Sequence, residues 1–293
     1  MLGVFDIHRA SSVAEASALL AERGPDAAIY AGGTELLALM KDRLLEPALL
    51  VDIKHVPRLG GIALDPGGRL LRVGALARHR EIERSPLVRA RLPEFAAMEA
   101  QVANVRVRWA GTIGGNLCFA EPHSDPATLL LGLDATLTLA SAQGSRTIPV
   151  GDFFVGFLST AREPEELLTA IEVPLPQPGT GVAYERFKTH ERPSASVAAR
   201  LSVAGGVISE PRLAVGSVGE RPVRIAAAEE MLAGNAPSPD LFAAAAELVR
   251  DGVEPTEDLF ESTDYKRHLA RTLALRALER AAAAAANGGP HAG

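Results

Sequence analysis

Ala31-Gly32-Gly33-Thr34-Glu35 and, much later, Gly111-Thr112-Ile113-Gly114-Gly115-Asn116 decide how this chain is read. Each segment places backbone amides free of bulky side chains beside an apolar strand, which suits a phosphate-bearing ligand better than core packing. Ala27-Ala28-Ile29-Tyr30 before the first segment reads as a short buried strand, Glu35 to Arg43 after it as a helix, and Leu49 to Ile53 as a second strand. Gly32-Gly33 therefore occupies a strand-to-helix turn. The second segment reads as extended or looped, and Leu117-Cys118-Phe119 and the turn-rich Glu121 to Pro126 follow it.

The first segment also imitates a dinucleotide-binding turn, because Asp52 stands about 20 residues on, where a ribose-binding acid would be. The spacing excludes that reading. Gly32 to Leu37 contains neither a Gly-x-Gly turn nor a third glycine, and no Gly-Lys-Ser/Thr follows to make a triphosphate loop.

Elsewhere, Ser12-Val13-Ala14-Glu15 has capping-box spacing and starts a helix that runs to Arg23, before Gly24-Pro25. Strand-like pieces at Leu70 to Val73 and Ala135 to Leu139 flank one expected helix around Pro86 to Ala100. The prolines at 174, 176 and 178, with Gly179 and Gly181, mark a boundary. Beyond it, Ala183 to Lys188, Ser196 to Ala204 and Arg212 to Val218 read as a three-stranded antiparallel sheet, with Gly205-Gly206 as a hairpin turn. Helices follow: one is capped by Ser238-Pro239, and a long one runs from Thr263 to Ala286. Residues 287–293 are expected to be a disordered tail.

Thirty basic and thirty-six acidic residues give a net charge of −6, without the basic stripe that nucleic acid requires. The single cysteine, Cys118, excludes an internal disulfide and a chain-encoded iron–sulfur cluster. No segment reaches the roughly 20 apolar residues of a membrane span and no signal sequence is evident, so the cytoplasm is the expected compartment. His123 lacks a zinc-ligand spacing, and no metal site is expected. Trp109 is read as a loop anchor in the core. Arg78, His79, Arg80, Arg106 and Arg108 are read as a solvated basic face that an acidic partner could use.

Taken together, Ala31 to Leu37, Ala110 to Asn116 and Ser124-Asp125 resemble the FAD-binding (medium) subunits of molybdenum hydroxylases, the family of xanthine and carbon monoxide dehydrogenases. Gly216 to Arg224 and Tyr265 to Leu269 are similar to segments of that family's C-terminal domain, so the resemblance covers nearly the whole chain. It implies an α+β fold: a two-subdomain FAD-binding domain of the vanillyl-alcohol-oxidase (PCMH) type over 1–177, with subdomains of about 1–57 and 58–177. A small α+β domain would follow over 178–286.

The resemblance further implies non-covalent FAD between the subdomains. Ala28 and the run Tyr30, Ala31, Gly32, Gly33, Thr34, Glu35 and Leu36 would hold the diphosphate. Gly111, Thr112, Gly115 and Asn116 would complete the diphosphate and ribityl site, with Cys118 and Phe119 nearby. Asp125, beside Ser124, would accept from a ribityl or adenosine-side hydroxyl, and Leu168 would border adenine or flavin. Lys188 would approach the flavin ring, its other reading being a solvated strand-end lysine.

No side chain is expected to act as acid, base or nucleophile. The molybdenum cofactor would lie on a large partner subunit and [2Fe-2S] clusters on a small one. This chain would then pass electrons to a terminal acceptor within a heterotrimer. A regulatory nucleotide-binding module and a stand-alone flavin oxidoreductase are the alternative readings.

Overall fold

A computed structural model describes residues 2–189 and 192–287. The chain opens with β1 (Asp6–Arg9), α1 (Val13–Arg23), β2 (Ala27–Tyr30), α2 (Leu36–Lys41) and β3 (Leu49–Asp52). These strands form a parallel sheet in the order β1-β3-β2. Ser12 caps α1 through its hydroxyl, which accepts from the Glu15 amide at 3.1 Å. The Glu15 carboxylate reaches past the cap to the amide and hydroxyl of Ser11, a variant of the expected box.

Next come β4 (Ile62–Leu64), β5 (Leu70–Gly74), α3 (His79–Arg84), α4 (Pro86–Arg91), α5 (Pro93–Glu99), α6 (Val105–Ala110), α7 (Ile113–Phe119) and α8 (Asp125–Gly132). The single helix expected over Pro86 to Ala100 is two helices. Pro93 has no amide to continue the first, and Leu92 leaves the helical region at φ −149°. The strands β6 (Thr136–Ser141) and β7 (Gly144–Pro149), the short α9 (Val150–Phe153), a hairpin of β8 (Phe154–Gly156) and β9 (Ser159–Thr160), and β10 (Leu167–Pro174) complete this region. A second sheet runs β4-β5-β10-β6-β7, all antiparallel. Leu71, Val73, Leu137, Leu139 and Ile171 from this sheet and Phe95, Ile113, Leu117 and Leu129 from the helices are buried in one core.

The C-terminal region carries β11 (Thr180–Phe187), β12 (Ala195–Ala204), β13 (Val207–Gly216) and β14 (Val223–Arg224), then α10 (Ala226–Leu232), α11 (Pro239–Gly252) and α12 (Thr263–Ala286). The sheet has four strands rather than three. The last is a two-residue edge too short to show a strand period. Gly205 and Gly206, at φ +60° and +82°, make the expected hairpin turn. Lys266 is buried in the first turn of α12 and donates to the Thr256 carbonyl at 2.9 Å and to Asp258 at 2.6 Å, tying the preceding loop to the helix. Of the expected tail, residues 288–293 lie outside the described residues.

Candidate cofactor cleft

The two glycine segments meet. An ideal Cβ on Gly32 would lie 2.4 Å from the Ala110 carbonyl oxygen and 2.8 Å from the Gly111 Cα, so only glycine permits this approach. Thr34 stands on the same seam, its Oγ1 3.4 Å from an ideal Gly111 Cβ. Gly33 adopts φ +72°, and a Cβ there would lie 2.6 Å from the Tyr30 ring. The amides of Gly32, Gly33, Thr34 and Glu35 donate to no protein acceptor among the described residues. Unpaired donors in the turn leading into α2 are what an anionic ligand requires. Ala28, Tyr30, Ala31 and Leu36 are half-buried around them.

Asp52 has a structural task. Lys54 lies 3.0 Å from its carboxylate and 3.4 Å from the Tyr30 ring centroid. Burial works to raise this carboxyl, but the amide and ammonium of Lys54 outweigh it and hold the group below the usual range.

The second segment departs from the expected loop. Thr112 caps α7, its Oγ1 accepting from the Gly115 amide at 3.1 Å, so Ile113 to Asn116 are helical. The Ile113 amide donates to Ala77 and the Gly114 amide to Ala75, while Asn116 donates to Thr112. A Cβ on Gly114 would lie 2.6 Å from that of Ala75, so this glycine serves close packing of helix on sheet. Gly115 is exposed and Asn116 half-buried. The Ser124 hydroxyl donates to Asn116 Oδ1 at 2.6 Å and accepts from the Ala127 amide as the N-cap of α8. Asn116 is thereby left with its Nδ2 donors for another partner.

The remaining expected residues divide between cleft and core. Cys118 packs against the main core, and burial pushes its thiol up to about 11, so it behaves as a small hydrophobe. Leu168 is buried in β10, and Phe119 is half-buried. Asp125 has protein partners on both oxygens: the Tyr184 hydroxyl and the Arg186 guanidinium, each at 2.6 Å. Each carboxylate oxygen keeps a second acceptor site. Lys188 is exposed just beyond the end of β11.

Two readings of neighbouring residues are corrected. Trp109 is 53% exposed on α6 and is no core anchor. His79 is buried and its Nδ1 lies 2.7 Å from Glu99, while Arg80 and Arg108 both pair with Glu83. Of the supposed basic face, only Arg78 and Arg106 are exposed. His123 is paired at 2.7 Å with Glu121, whose carboxyl burial would raise but His123 and Arg192 hold low. No group of three or more metal-ligating side chains occurs among the described residues.

Tyr184, Arg186, Glu99 and Lys54 escaped the sequence reading. The first two lie 59 and 61 residues from the Asp125 they hold, a separation that only the tertiary fold closes.

Comparison with known proteins places this geometry. The family described as "FAD binding domain in molybdopterin dehydrogenase" matches residues 3–176, and the "CO dehydrogenase flavoprotein C-terminal domain" matches residues 184–281. The chain is 36% identical to the carbon monoxide dehydrogenase medium chain of Hydrogenophaga pseudoflava, covering 94% of this chain and 96% of the relative. It is 32% identical to the caffeine dehydrogenase subunit beta of Pseudomonas sp. strain CBB1, over 95% of each. The solved carbon monoxide dehydrogenase of Hydrogenophaga pseudoflava superposes with a TM-score of 0.93 at 36% identity, covering 97% of this chain and 99% of that one. Quinoline 2-oxidoreductase of Pseudomonas putida 86 superposes at 0.90 with 33% identity and the same coverage. The chain belongs to the FAD-binding medium subunits of the molybdenum hydroxylases, flavin-dependent oxidoreductase subunits.

Proposed function

We propose that this chain binds FAD in the cleft where its two glycine segments meet and relays electrons between an iron–sulfur subunit and a terminal acceptor. The observation that carries the reading is the unpaired run of amides from Gly32 to Glu35, at the seam where Gly32 touches Ala110 and Gly111 and Thr34 approaches Gly111. The residues suit the cofactor: the amides and Thr34 take the diphosphate, and the Asn116 Nδ2 donors and the spare acceptor sites of Asp125 take hydroxyls or carbonyls.

When bound, FAD supplies the redox chemistry, accepting and releasing electrons singly or in pairs. The chain's own work is binding, orientation and tuning. Lys188 places a positive charge at the end of β11, where it favours added negative charge on a nearby ring. Leu168 and Phe119 contribute apolar surface. Substrate oxidation belongs to a large subunit with the molybdenum cofactor. A small subunit with [2Fe-2S] clusters delivers the electrons, and the assembly works in the cytoplasm. No helix among the described residues is long and apolar enough to cross a membrane.

Purified chain incubated with FAD is expected to turn yellow, to release intact FAD on denaturation, and to oxidise no organic substrate alone. A colourless protein after incubation with excess FAD contradicts the proposal. Turnover by the isolated chain contradicts the division of labour.

A further inference from the structure

Asp125 is gripped from the C-terminal domain. Tyr184 and Arg186 stand two residues apart on β11, so the strand period puts both side chains on one face, each reaching a different oxygen of the same carboxylate. Asp125 and Tyr184 are 5% and 4% exposed. Burial raises the Asp125 carboxyl while Arg186 and Tyr184 oppose it, and a charge so placed is costly to leave unpaired. Arg186 is itself fixed by Gln101, at 3.1 Å from its Nε.

The grip continues toward the cleft. Asp125 is the first residue of α8 and Ser124 its cap, so holding the carboxylate fixes the Ser124 hydroxyl. That hydroxyl holds Asn116 Oδ1 and so fixes the amide that carries the Nδ2 donors.

We propose that Tyr184 and Arg186 are positioning residues of the FAD site: through Asp125 and Ser124 they orient the Asn116 amide, so the C-terminal domain completes a cleft built on the N-terminal one. The inference rests on the FAD reading above.

The fold supplies its own control. Beyond the other end of α8, Asp134 pairs with Arg200 at 2.8 Å, Arg212 at 2.6 Å and Arg224 at 3.1 Å from the C-terminal sheet. This clamp joins the same two domains but has no link to Asn116.

The test titrates FAD into the purified full-length chain and its variants by flavin fluorescence, with far-UV circular dichroism to verify folding. Y184F and R186Q are each expected to weaken FAD binding about tenfold, the range for a hydrogen bond to a charged group. R212Q is expected to leave affinity within about twofold, as an independent site should. In an Asn116→Ala background, R186Q should add clearly less than its full tenfold, because part of its effect runs through that amide and the rest through Asp125 itself. Should R186Q fail to fold, Y184F, which removes one hydroxyl, carries the same comparison.

Wild-type affinity in Y184F or in folded R186Q overturns the proposal. So does an equal loss in R212Q, which would mean simple domain docking, or full additivity with N116A. A wild-type chain that binds no FAD sinks the cofactor reading itself, whereas tight wild-type binding with indifferent variants sinks only this inference.

Discussion

At Gly32 to Glu35 the backbone amides have no protein acceptor among the described residues, whereas at Ile113 to Asn116 every amide already donates within the protein. Both stretches carry adjacent glycines beside apolar segments, yet their glycines answer different demands. Gly33 is needed for a positive φ beside the Tyr30 ring, and Gly32 for contact with Ala110 and Gly111. Gly114 is needed because Ala75 leaves no room for a methyl group. One segment is an array of unpaired donors touching Ala110 and Gly111, and the other is a packed helix whose Asn116 side chain is held by Ser124. A pair of glycines in sequence specifies closeness, but not to what.

Four substitutions sharpen or break that contrast. Gly33→Val combines left-handed strain of about 1–3 kcal/mol with a collision against the Tyr30 ring, so FAD affinity should fall about 100-fold. Fluorescence titration against wild type measures it, and unchanged affinity would remove the first segment from the site. Gly114→Ala should act on the fold instead. Overpacking against Ala75 costs about 1–3 kcal/mol in chemical denaturation, while folded protein binds FAD within about threefold of wild type. A loss of affinity without a loss of stability would show that the two segments share one role.

Thr34→Val keeps the shape and removes the hydroxyl. It should weaken FAD about tenfold with no change in the apo-protein melting curve. The smallest effect belongs to Cys118. With its thiol held up at about 11, only about a thousandth is ionised at pH 8, so iodoacetamide should label the unfolded chain and spare the native one. Because the raised value belongs to the folded state, stability should also decline as pH rises from about 8.5 toward 11, and Cys118→Ala should flatten that decline. Fast native labelling would mean that α7 is open at its end.

Local signals made much of the fold legible. Ser12 and Ser238 mark helix starts because their hydroxyls satisfy orphan backbone amides, and the Asn287 backbone amide closes α12 on the Ala283 carbonyl. The helix α7 was hidden because glycines at 114 and 115 weaken its propensity, and its stability comes from packing against Ala75 and β10 and from the Thr112 cap. The short α3, α6 and α8 have too few turns to display an apolar period.

At the site, the family resemblance supplied the positions but not the partners. Asp125 was legible as a residue beside the cofactor, while Tyr184 and Arg186, which hold it, are brought there only by the docking of one domain on another. Likewise, Arg108 and His79 looked like part of a free basic face because their partners, Glu83 on α3 and Glu99 on α5, are met only in the fold, whereas the Arg80–Glu83 pair is local to α3.

Amide hydrogen exchange with and without FAD tests the contrast between the segments most directly. The account predicts that peptides covering residues 31–36 exchange rapidly in the apo-protein and become strongly protected by FAD, while those covering 113–117 are protected in both states. Unchanged exchange over 31–36 on FAD binding, or protection gained only over 113–117, would contradict it.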